Sequence, residues 1–574
     1  MIPTESNNCM RQPLQVIEDI MAKATPDTSQ SQEQEIVTYF REVFKIRSEY
    51  HKILSLNATD PFQITPRTLV RFRCMVQDPG FGNEMYIKWL PVGNRTDQEH
   101  QFQFHKFTDH ISPDTETSEV DCHTPHNVYA EKQLCYCIAV PGENSWVGAH
   151  DTKGNSMPSD AVIPSTESHQ AFLSKKHIHG PTPFRAAVIK FYDLESVPKA
   201  GQIIEVVGIF EWAFHSEENG TDIQLPCIHA IFHDVQQSDA LVKDVAPQAA
   251  PALDNLRETL MQHLSEALGG DTLAATYSFL TMLASVHHVQ TLPVGKFSVN
   301  LCNAPTPDPD NQADSATPNA PPSPPRALAR LYRLVMNCQP FTVYLPLALG
   351  DLNTKPFYPQ GEEHLYTGAL QLADHTYLLV DETAMGNGQL QERGIRNIQC
   401  LAQVMTDQKL AYAFPYQSVE FATNLKFLVV SEGKSFLPCD CVVPLSPEAV
   451  ERLAQGGDAL SGEITTSPDS VCVAQSSLDV AQIRQYLSTC QAIEYTIPPA
   501  VAEMVQTSYV EERRKNAGDG VNQAELSFRL TLAKLLTISQ GKCELTQDTW
   551  ELAGTLEKER RVRLDAFEKS KRRQ

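Results

Sequence analysis

The sequence is poor in long apolar runs, in positive charge and, at one place, in glycine. Nothing in its 574 residues approaches the roughly 20 consecutive apolar residues of a bilayer-spanning helix, which excludes a helical membrane span. Cations are outnumbered, with 47 Lys and Arg against 70 Asp and Glu and a formal net charge of −23. Nucleic-acid binding works by neutralising phosphates, so so acidic a chain is a poor whole-surface match for DNA. From Phe297 through Pro325 there is no Gly, Lys or Arg at all. The N-terminal stretch Met1 to Met10 is polar with no apolar core behind it, so no signal peptide is expected and the chain is expected in the cytosol or nucleus. There the 14 cysteines are expected to be thiols acting as small hydrophobes, and the Asn-x-Thr sequon at Asn94 carries no information.

What is present describes an ordinary globular protein: 41% hydrophobic and 8% aromatic residues, in a length that suits two to four domains. Leu14 to Ile20 and Ile36 to Phe44 read as short amphipathic helices. From Thr68 the texture changes to strands. Val70, Phe72, Cys74 and Val76 share one face of an alternating run, and further strands are expected at Cys135 to Val140, Ala187 to Tyr192, Ile203 to Trp212 and Ile228 to Phe232. Five short strands with long insertions suggest a small barrel, of which the OB type is one candidate. An Ala/Pro stretch at Asp239 to Asp254 marks a boundary. Two helices follow: Leu253, Leu256, Leu260, Leu264 and Leu268 lie at helical spacing, Gly269-Gly270 ends that helix, and Asp271 can cap the next, whose stripe is Leu273, Tyr277, Leu280 and Ala284.

After Lys296 the pattern becomes α/β. Phe297 to Leu301 and Thr342 to Leu345 are strand candidates, and Tyr377 to Val380 and Phe427 to Val430 are continuous apolar runs, as expected of parallel strands covered on both faces. Between the first two lies a low-complexity loop, Ala304 to Pro325, with eight prolines, expected to be disordered. The region from Val480 reads as helical, ending in a stripe through Leu526, Leu530, Leu532 and Leu536.

One run carries a chemical pattern. Tyr377-Leu378-Leu379-Val380-Asp381-Glu382 is an apolar strand ending in Asp-Glu, which is what a Walker B motif needs: the Asp holds magnesium and the Glu orients water. Asp and Glu also follow strands simply to begin a turn. The partner motif, a glycine-rich loop ending in Gly-Lys-Ser/Thr, belongs just after Phe297 to Leu301. That place offers prolines without N–H groups, and Asp308, Asp310 and Asp314, which repel phosphate. Gly433-Lys434-Ser435 fits the short form but comes after Asp381-Glu382, and five places before Gly433 stands Leu428, inside a strand. It is not a phosphate-binding loop.

Other candidates are weaker. Cys122, His123, His126, Cys135 and Cys137 supply zinc-type ligands at spacings that fit no standard site, so cysteines packed in a barrel wall are expected and no metal site is assigned; Cys439-Asp440-Cys441 reads the same way. Ser145 lies in no Gly-x-Ser-x-Gly elbow. The basic tail around Arg560, Arg561, Arg563, Lys569, Lys571, Arg572 and Arg573 reads either as a charge-laced helix end or as a nuclear import signal.

Several strings, in order along the chain, resemble the MCM replicative helicases. Thr367-Gly368-Ala369-Leu370-Gln371-Leu372-Ala373-Asp374 running into Leu379-Val380-Asp381-Glu382 is similar to their Walker B neighbourhood. Met405 to Leu410 is similar to the run around Met-Glu-Gln-Gln-Thr, and Leu268-Gly269-Gly270-Asp271 to the start of the ATPase module. By that resemblance Leu425 to Gly433 ends the sensor-1 strand with Ser431 or Glu432 in place of Asn, and Glu525 with Arg529-Leu530 lies on the sensor-2 helix with Asn522 at the arginine position. A helicase frame that has lost its chemical residues one by one resembles the MCM-binding protein family. Pro13 to Ile17, Leu69 to Asp78, Pro141-Gly142-Glu143-Asn144-Ser145-Trp146-Val147 and Ser431 to Ser435 resemble that family's strings as well, so that the resemblance spans the chain. The acidic insertion Asp114 to Asp121 and the Pro-rich loop depart from the pattern.

The expectation is an α+β multidomain protein: N-terminal helices in 1–65, a β-rich OB-like domain in 66–240, and an inactive AAA+-like α/β domain with a helical end in 250–574, including loop 304–325. The resemblance implies a nuclear, non-catalytic partner of MCM helicase subunits, without a cofactor, associated with chromatin through MCM. It implies an alternative MCM complex lacking the second MCM subunit, and roles in complex stability, unloading, DNA replication and sister-chromatid cohesion. Direct membrane or nucleic-acid binding is not expected. The alternatives are an active AAA-type ATPase using Asp381 and Glu382, and a single-stranded nucleic-acid binder using Phe72, Tyr86 and Trp89.

Overall fold

The computed structural model describes residues 2–22, 24–26, 29–92, 101–110, 126–148, 176, 185–216, 222–236, 250–289, 292–305, 324–347, 354–356, 365–385, 391–414, 416–455, 480–515 and 523–572. It is a mixed α/β multidomain protein. Cys122, His123, Asn522 and most of the Pro-rich loop lie outside the described residues.

The chain begins with α1 (Ile2–Arg11), α2 (Pro13–Met21), α3 (Ser29–Val43) and the short α4 (Arg47–Tyr50). Helix α1 is mostly polar and buries Cys9 in the core beneath the N-terminal helices, too few apolar residues to reveal it in the sequence. It is followed by β1 (Leu54–Ser55), β2 (Leu69–Val92), β3 (Gln101–Phe104), β4 (Val128–Ile138), β5 (Ala186–Phe191), β6 (Ile203–Ser216) and β7 (Asp222–Val235). These form one sheet in which β2 pairs with β4, β4 with β5, β5 with β7, β7 with β6, and β6 again with β2. Strand β2 runs much further than the expected Leu69 to Val76. Asp78-Pro79-Gly80 reads as a turn, yet it is a bend within the strand: the register against β4 shifts between Val76 and Asp78 and between Asp78 and Gly82, and the Gly80 amide donates to Asp78 Oδ1 at 3.1 Å. Val70, Phe72, Cys74 and Val76 point into one core with Cys135, Cys137, Ile189 and Ile228, as the alternation requires. The opposite faces of β6 and β7, through Val207, Ile209 and Ile231, are covered by Ile17, Ile36 and Phe40 of the N-terminal helices.

The α/β unit opens with α5 (Ala250–Ala267) and α6 (Thr272–Leu283). Gly269 and Gly270 take φ of 68° and 91° at the end of α5, and the Asp271 carboxylate caps α6 by accepting from Ala274 N at 3.0 Å. Helix α6 is buried nearly all round rather than along one stripe, because it packs on α5, on the sheet and on the C-terminal helices at once. Next come the hairpin β8 (His287–Val289) and β9 (Leu292–Val294), then β10 (Val299–Cys302), α7 (Arg326–Cys338), β11 (Thr342–Pro346), β12 (Tyr377–Asp381), α8 (Glu392–Asp407), the hairpin β13 (Lys409–Ala413) and β14 (Ser418–Ala422), β15 (Lys426–Val430) and β16 (Cys441–Pro444). Helices α9 (Pro447–Ala454), α10 (Val480–Gln491), α11 (Pro499–Lys515), α12 (Gln523–Ser539) and α13 (Gln547–Lys571) complete the chain.

Five strands make a parallel sheet in the order β11-β12-β15-β10-β16. Alternate residues feed two cores. Leu379, Leu428 and Leu301 join α6, α7 and the C-terminal helices, whereas Leu378, Val380, Phe427 and Val429 join Leu401 and Val404 of α8. Burial on both faces is why Tyr377 to Val380 of β12 and Phe427 to Val430 of β15 read as unbroken apolar runs.

Candidate functional site

In open α/β sheets ligands bind beyond the carboxyl ends of the strands, and β12 brings Asp381 and Glu382 to that edge. There the polar groups are taken up by one another. Asp381 is fully buried and accepts from Tyr344 Oη (2.6 Å), Thr383 N (2.8 Å) and Thr383 Oγ1 (2.6 Å). Glu382 accepts from Ser435 Oγ; burial pushes its carboxyl up, helped by the Asp381 charge and opposed by the Ser435 bond. Gly433-Lys434-Ser435 therefore does meet the Asp-Glu pair in space, but through a hydroxyl and with Lys434 exposed to solvent.

The neighbouring strand end is closed in the same way. Ser431 is buried; its Oγ accepts from Asn300 Nδ2 at 2.7 Å and donates to Gly433 O at 2.6 Å. Asn300 Oδ1 accepts from Ser435 N at 3.1 Å. After β10, where a phosphate-binding loop would aim its first amides at the ligand, the Asn303 and Ala304 amides donate to Glu432 O and Ser431 O, each at 3.1 Å. Glu432 itself is exposed. A contiguous pattern could identify Asp381 and Glu382, but not Tyr344, which reaches Asp381 from the neighbouring strand, or Asn300, which reaches Ser431 and Ser435 in the same way.

The other candidates disperse. Cys135 and Cys137 are buried in the sheet core and burial pushes both thiols up, while His126 is exposed. Phe72 is buried in that core, Trp89 is buried against Phe104 at 4.9 Å, and half-buried Tyr86 stands edge-on to Tyr192 at 5.0 Å, so the three make no shared stacking platform. Cys439 is half-buried and Cys441 buried, and burial raises both thiols.

Sequence reading missed one cluster altogether. Asp109, Cys227 and His229 bring potential metal-ligating atoms within 4.8 Å of one another. The donor set does not suit a cation. Asp109 already accepts from Lys132 and, at 2.7 Å, from Lys190, and burial pushes the Cys227 thiol up. His229 lies between Tyr192 Oη (2.7 Å) and Glu211 Oε2 (3.3 Å). The group is an internal ion-pair network joining β4, β5, β6 and β7, and two ammonium groups beside it oppose a metal.

The sequence profile of the mini-chromosome maintenance replisome factor family matches residues 40–179 and 159–564. The chain belongs to that family. It is 26% identical to the mini-chromosome maintenance complex-binding protein of Gallus gallus over 97% of both chains. The Drosophila melanogaster protein of that name is 27% identical over 95% of this chain and 98% of its own, and the Homo sapiens one 25% over 96% and 97%.

Within this family member, the two N-terminal strings that carry the resemblance, Leu69 to Asp78 and Pro141 to Val147, come together where the β-rich unit meets the α/β unit. Gly142 O accepts from Thr342 N at 2.8 Å, and the Asn144 amide donates to Pro340 O at 3.0 Å, so this loop lies against the segment that enters β11. Asn144 Nδ2 donates to Gln339 O at 2.6 Å, and Trp146 Nε1 to Met336 O at 3.0 Å, under an Arg484 guanidinium 3.9 Å from its ring. From the other string, Gln77 O accepts from Gln371 Nε2 at 2.9 Å, and Arg73 pairs with Glu143. Met75, Tyr136, Val188 and Leu225 share an apolar core with Phe341 and Ala373. Ser145 is thus part of a packing loop. The basic tail is partly absorbed too: buried Arg560 holds Glu557 at 2.6 Å and Val442 O at 2.9 Å, Arg561 pairs with Glu525, and Arg563 with Asp271 at 2.7 Å.

Proposed function

We propose that the chain is a non-catalytic partner of MCM helicase subunits, in which an AAA-type frame is kept for its shape. What carries the reading is the closed network at the sheet edge. Asp381, Glu382, Ser431, Ser435 and the Asn303 and Ala304 amides already have partners inside the chain, leaving none of them directed at a phosphate or a magnesium ion. Membership of a family whose relatives are named for binding the MCM complex supports the choice of partner. The sheet order, with β15 between the Asp381 strand and β10, supports the AAA-type frame, and the circuit β2-β4-β5-β7-β6-β2 supports an OB-type barrel for the β-rich unit. The division into 1–65, 66–240 and 250–574 belongs to the same proposal.

An inert subunit-like module can offer an MCM-like face without completing an ATP site. On this reading it takes part in an alternative MCM complex lacking the second MCM subunit, in the nucleus, and supports complex stability, unloading, DNA replication and sister-chromatid cohesion. Contact with chromatin passes through MCM. Purified full-length protein should co-elute with MCM subunits on size exclusion and should show no saturable ATP binding. Failure to co-elute with any MCM subunit would sink the proposal, and micromolar ATP binding would revive the ATPase reading.

A further inference from the structure

Between the N-terminal helices and the β-rich unit lies a cleft of about 300 Å³, lined by residues from α1, α2, β3 and the loop 105–110. In a chain of net charge −23 its cations stand out: Arg11, Arg67 and Lys106 line it, with His105, His110 and Thr108, against a single lining carboxylate, Glu18. Two more acids stand behind the wall. Glu33 of α3 holds Lys106 at 2.9 Å, and Glu211 of β6 lies 3.8 Å from Arg67. Arg11 and Arg67 remain exposed at the mouth.

The walls are held rigidly and under backbone strain. Arg67 takes φ of 65° and Phe107 φ of 73°, a left-handed region that bulky residues rarely enter. Both turns are fixed by buried Glu211, which also accepts from Thr108 Oγ1 at 3.1 Å and from the Asp109 amide. Asp109 is in turn clamped by Lys132 and Lys190. The loop 105–110 that forms this side of the cleft is thereby anchored to β4, β5 and β6.

We propose that this cleft binds a phosphorylated side chain presented by a partner polypeptide. Arg11, Arg67 and Lys106 suit a dianion with several acceptor oxygens, and arginine forks match phosphate geometry. Leu14, Ile17 and Phe104 give the lining an apolar portion that suits the residues flanking such a side chain. A nucleic-acid strand is disfavoured by size and by overall charge. The cleft lies apart from the sheet edge at Asp381 and shares no residue with it.

The test uses the full chain with N-acetyl-O-phosphothreonine methylamide, followed by the broadening of its ³¹P resonance. Parallel arms use inorganic phosphate, N-acetylglutamate methylamide and a twelve-nucleotide oligothymidylate. Saturable binding of the phosphothreonine probe is expected, tighter than that of inorganic phosphate or the glutamate probe. It should weaken at least tenfold in Arg11→Glu/Arg67→Gly and return only in part in Arg11→Lys/Arg67→Gly; glycine removes the strain at position 67, so a matching thermal melt separates lost binding from lost folding. No saturable binding, binding unchanged in the charge-reversed variant, inorganic phosphate bound as tightly as the probe (an adventitious ion only), or tighter oligothymidylate binding through the same residues would each overturn it.

Discussion

The edge of the parallel sheet and the junction around Gly142 are both dense in buried polar contacts, but they are wired differently. At the edge the bonds stay within the α/β unit: Tyr344 to Asp381, Ser435 to Glu382, Asn300 to Ser431. At the junction they cross between units, as in Asn144 to Gln339 and Gln371 to Gln77. The edge is where open α/β sheets place their ligands, and here its polar side chains hydrogen-bond one another. The junction holds strings that mark the family, and its residues fix one unit against the other. What is distinctive in this chain is therefore concentrated in how its parts are joined.

That contrast can be broken experimentally, and the largest effect should come from the junction. A Cβ at Gly142 would meet Thr342 O and Val343 Cγ2, both at 2.7 Å, on a backbone with φ of 70°. Gly142→Ala should lower stability in urea by about 2–3 kcal/mol; a change below about 0.5 kcal/mol would remove the claim that the junction is tightly specified. At the edge, Asp381→Asn places an amide opposite three donors, and a loss of about 2 kcal/mol is expected from the urea midpoint. MCM co-elution should survive it, and lost co-elution in a folded variant would return Asp381 to a functional role.

A smaller effect is pH-dependent. His375, with φ of 66°, is held down to about 3 by burial and by the charges of Lys426 and His287. Its folded pKa lies below the unfolded value near 6.5, so the stability it contributes is present above that pH and is lost as pH falls from there towards 3. The slope approaches about 1.4 kcal/mol per pH unit below 6.5. His375→Asn tolerates the left-handed backbone and should flatten the stability profile between pH 6.5 and 5; an unchanged slope would show that other groups carry it. The smallest effect is Trp146→Phe, which removes one hydrogen bond at the junction and should cost about 1 kcal/mol by the same urea assay.

Much of the fold was readable because its signals are local. The buried strands β12 and β15 are unbroken apolar runs, and Gly269, Gly270 and Asp271 punctuate two helices as their chemistry requires. Helix α1 was not legible, having few apolar residues among its polar ones, and β2 was cut short because Asp78-Pro79-Gly80 has the composition of a turn. The site was half legible. Asp381-Glu382 is a contiguous pattern, whereas Asn300 and Tyr344 reach it from neighbouring strands, and such pairings have no sequence spacing to betray them. Asp109 and His229 lie 120 residues apart in sequence and meet only when β7 and the loop before β4 are folded.

The central claim is that the frame binds MCM subunits as a shape, without nucleotide chemistry. Its most direct test is co-elution of the full-length Asp381→Asn/Glu382→Gln variant with MCM subunits in nucleotide-free buffer containing EDTA. The account predicts co-elution equal to that of the unaltered chain, with no change on adding magnesium and ATP. Loss of the complex in a variant that still melts cooperatively, or an unaltered chain that binds only when magnesium and ATP are supplied, would contradict it.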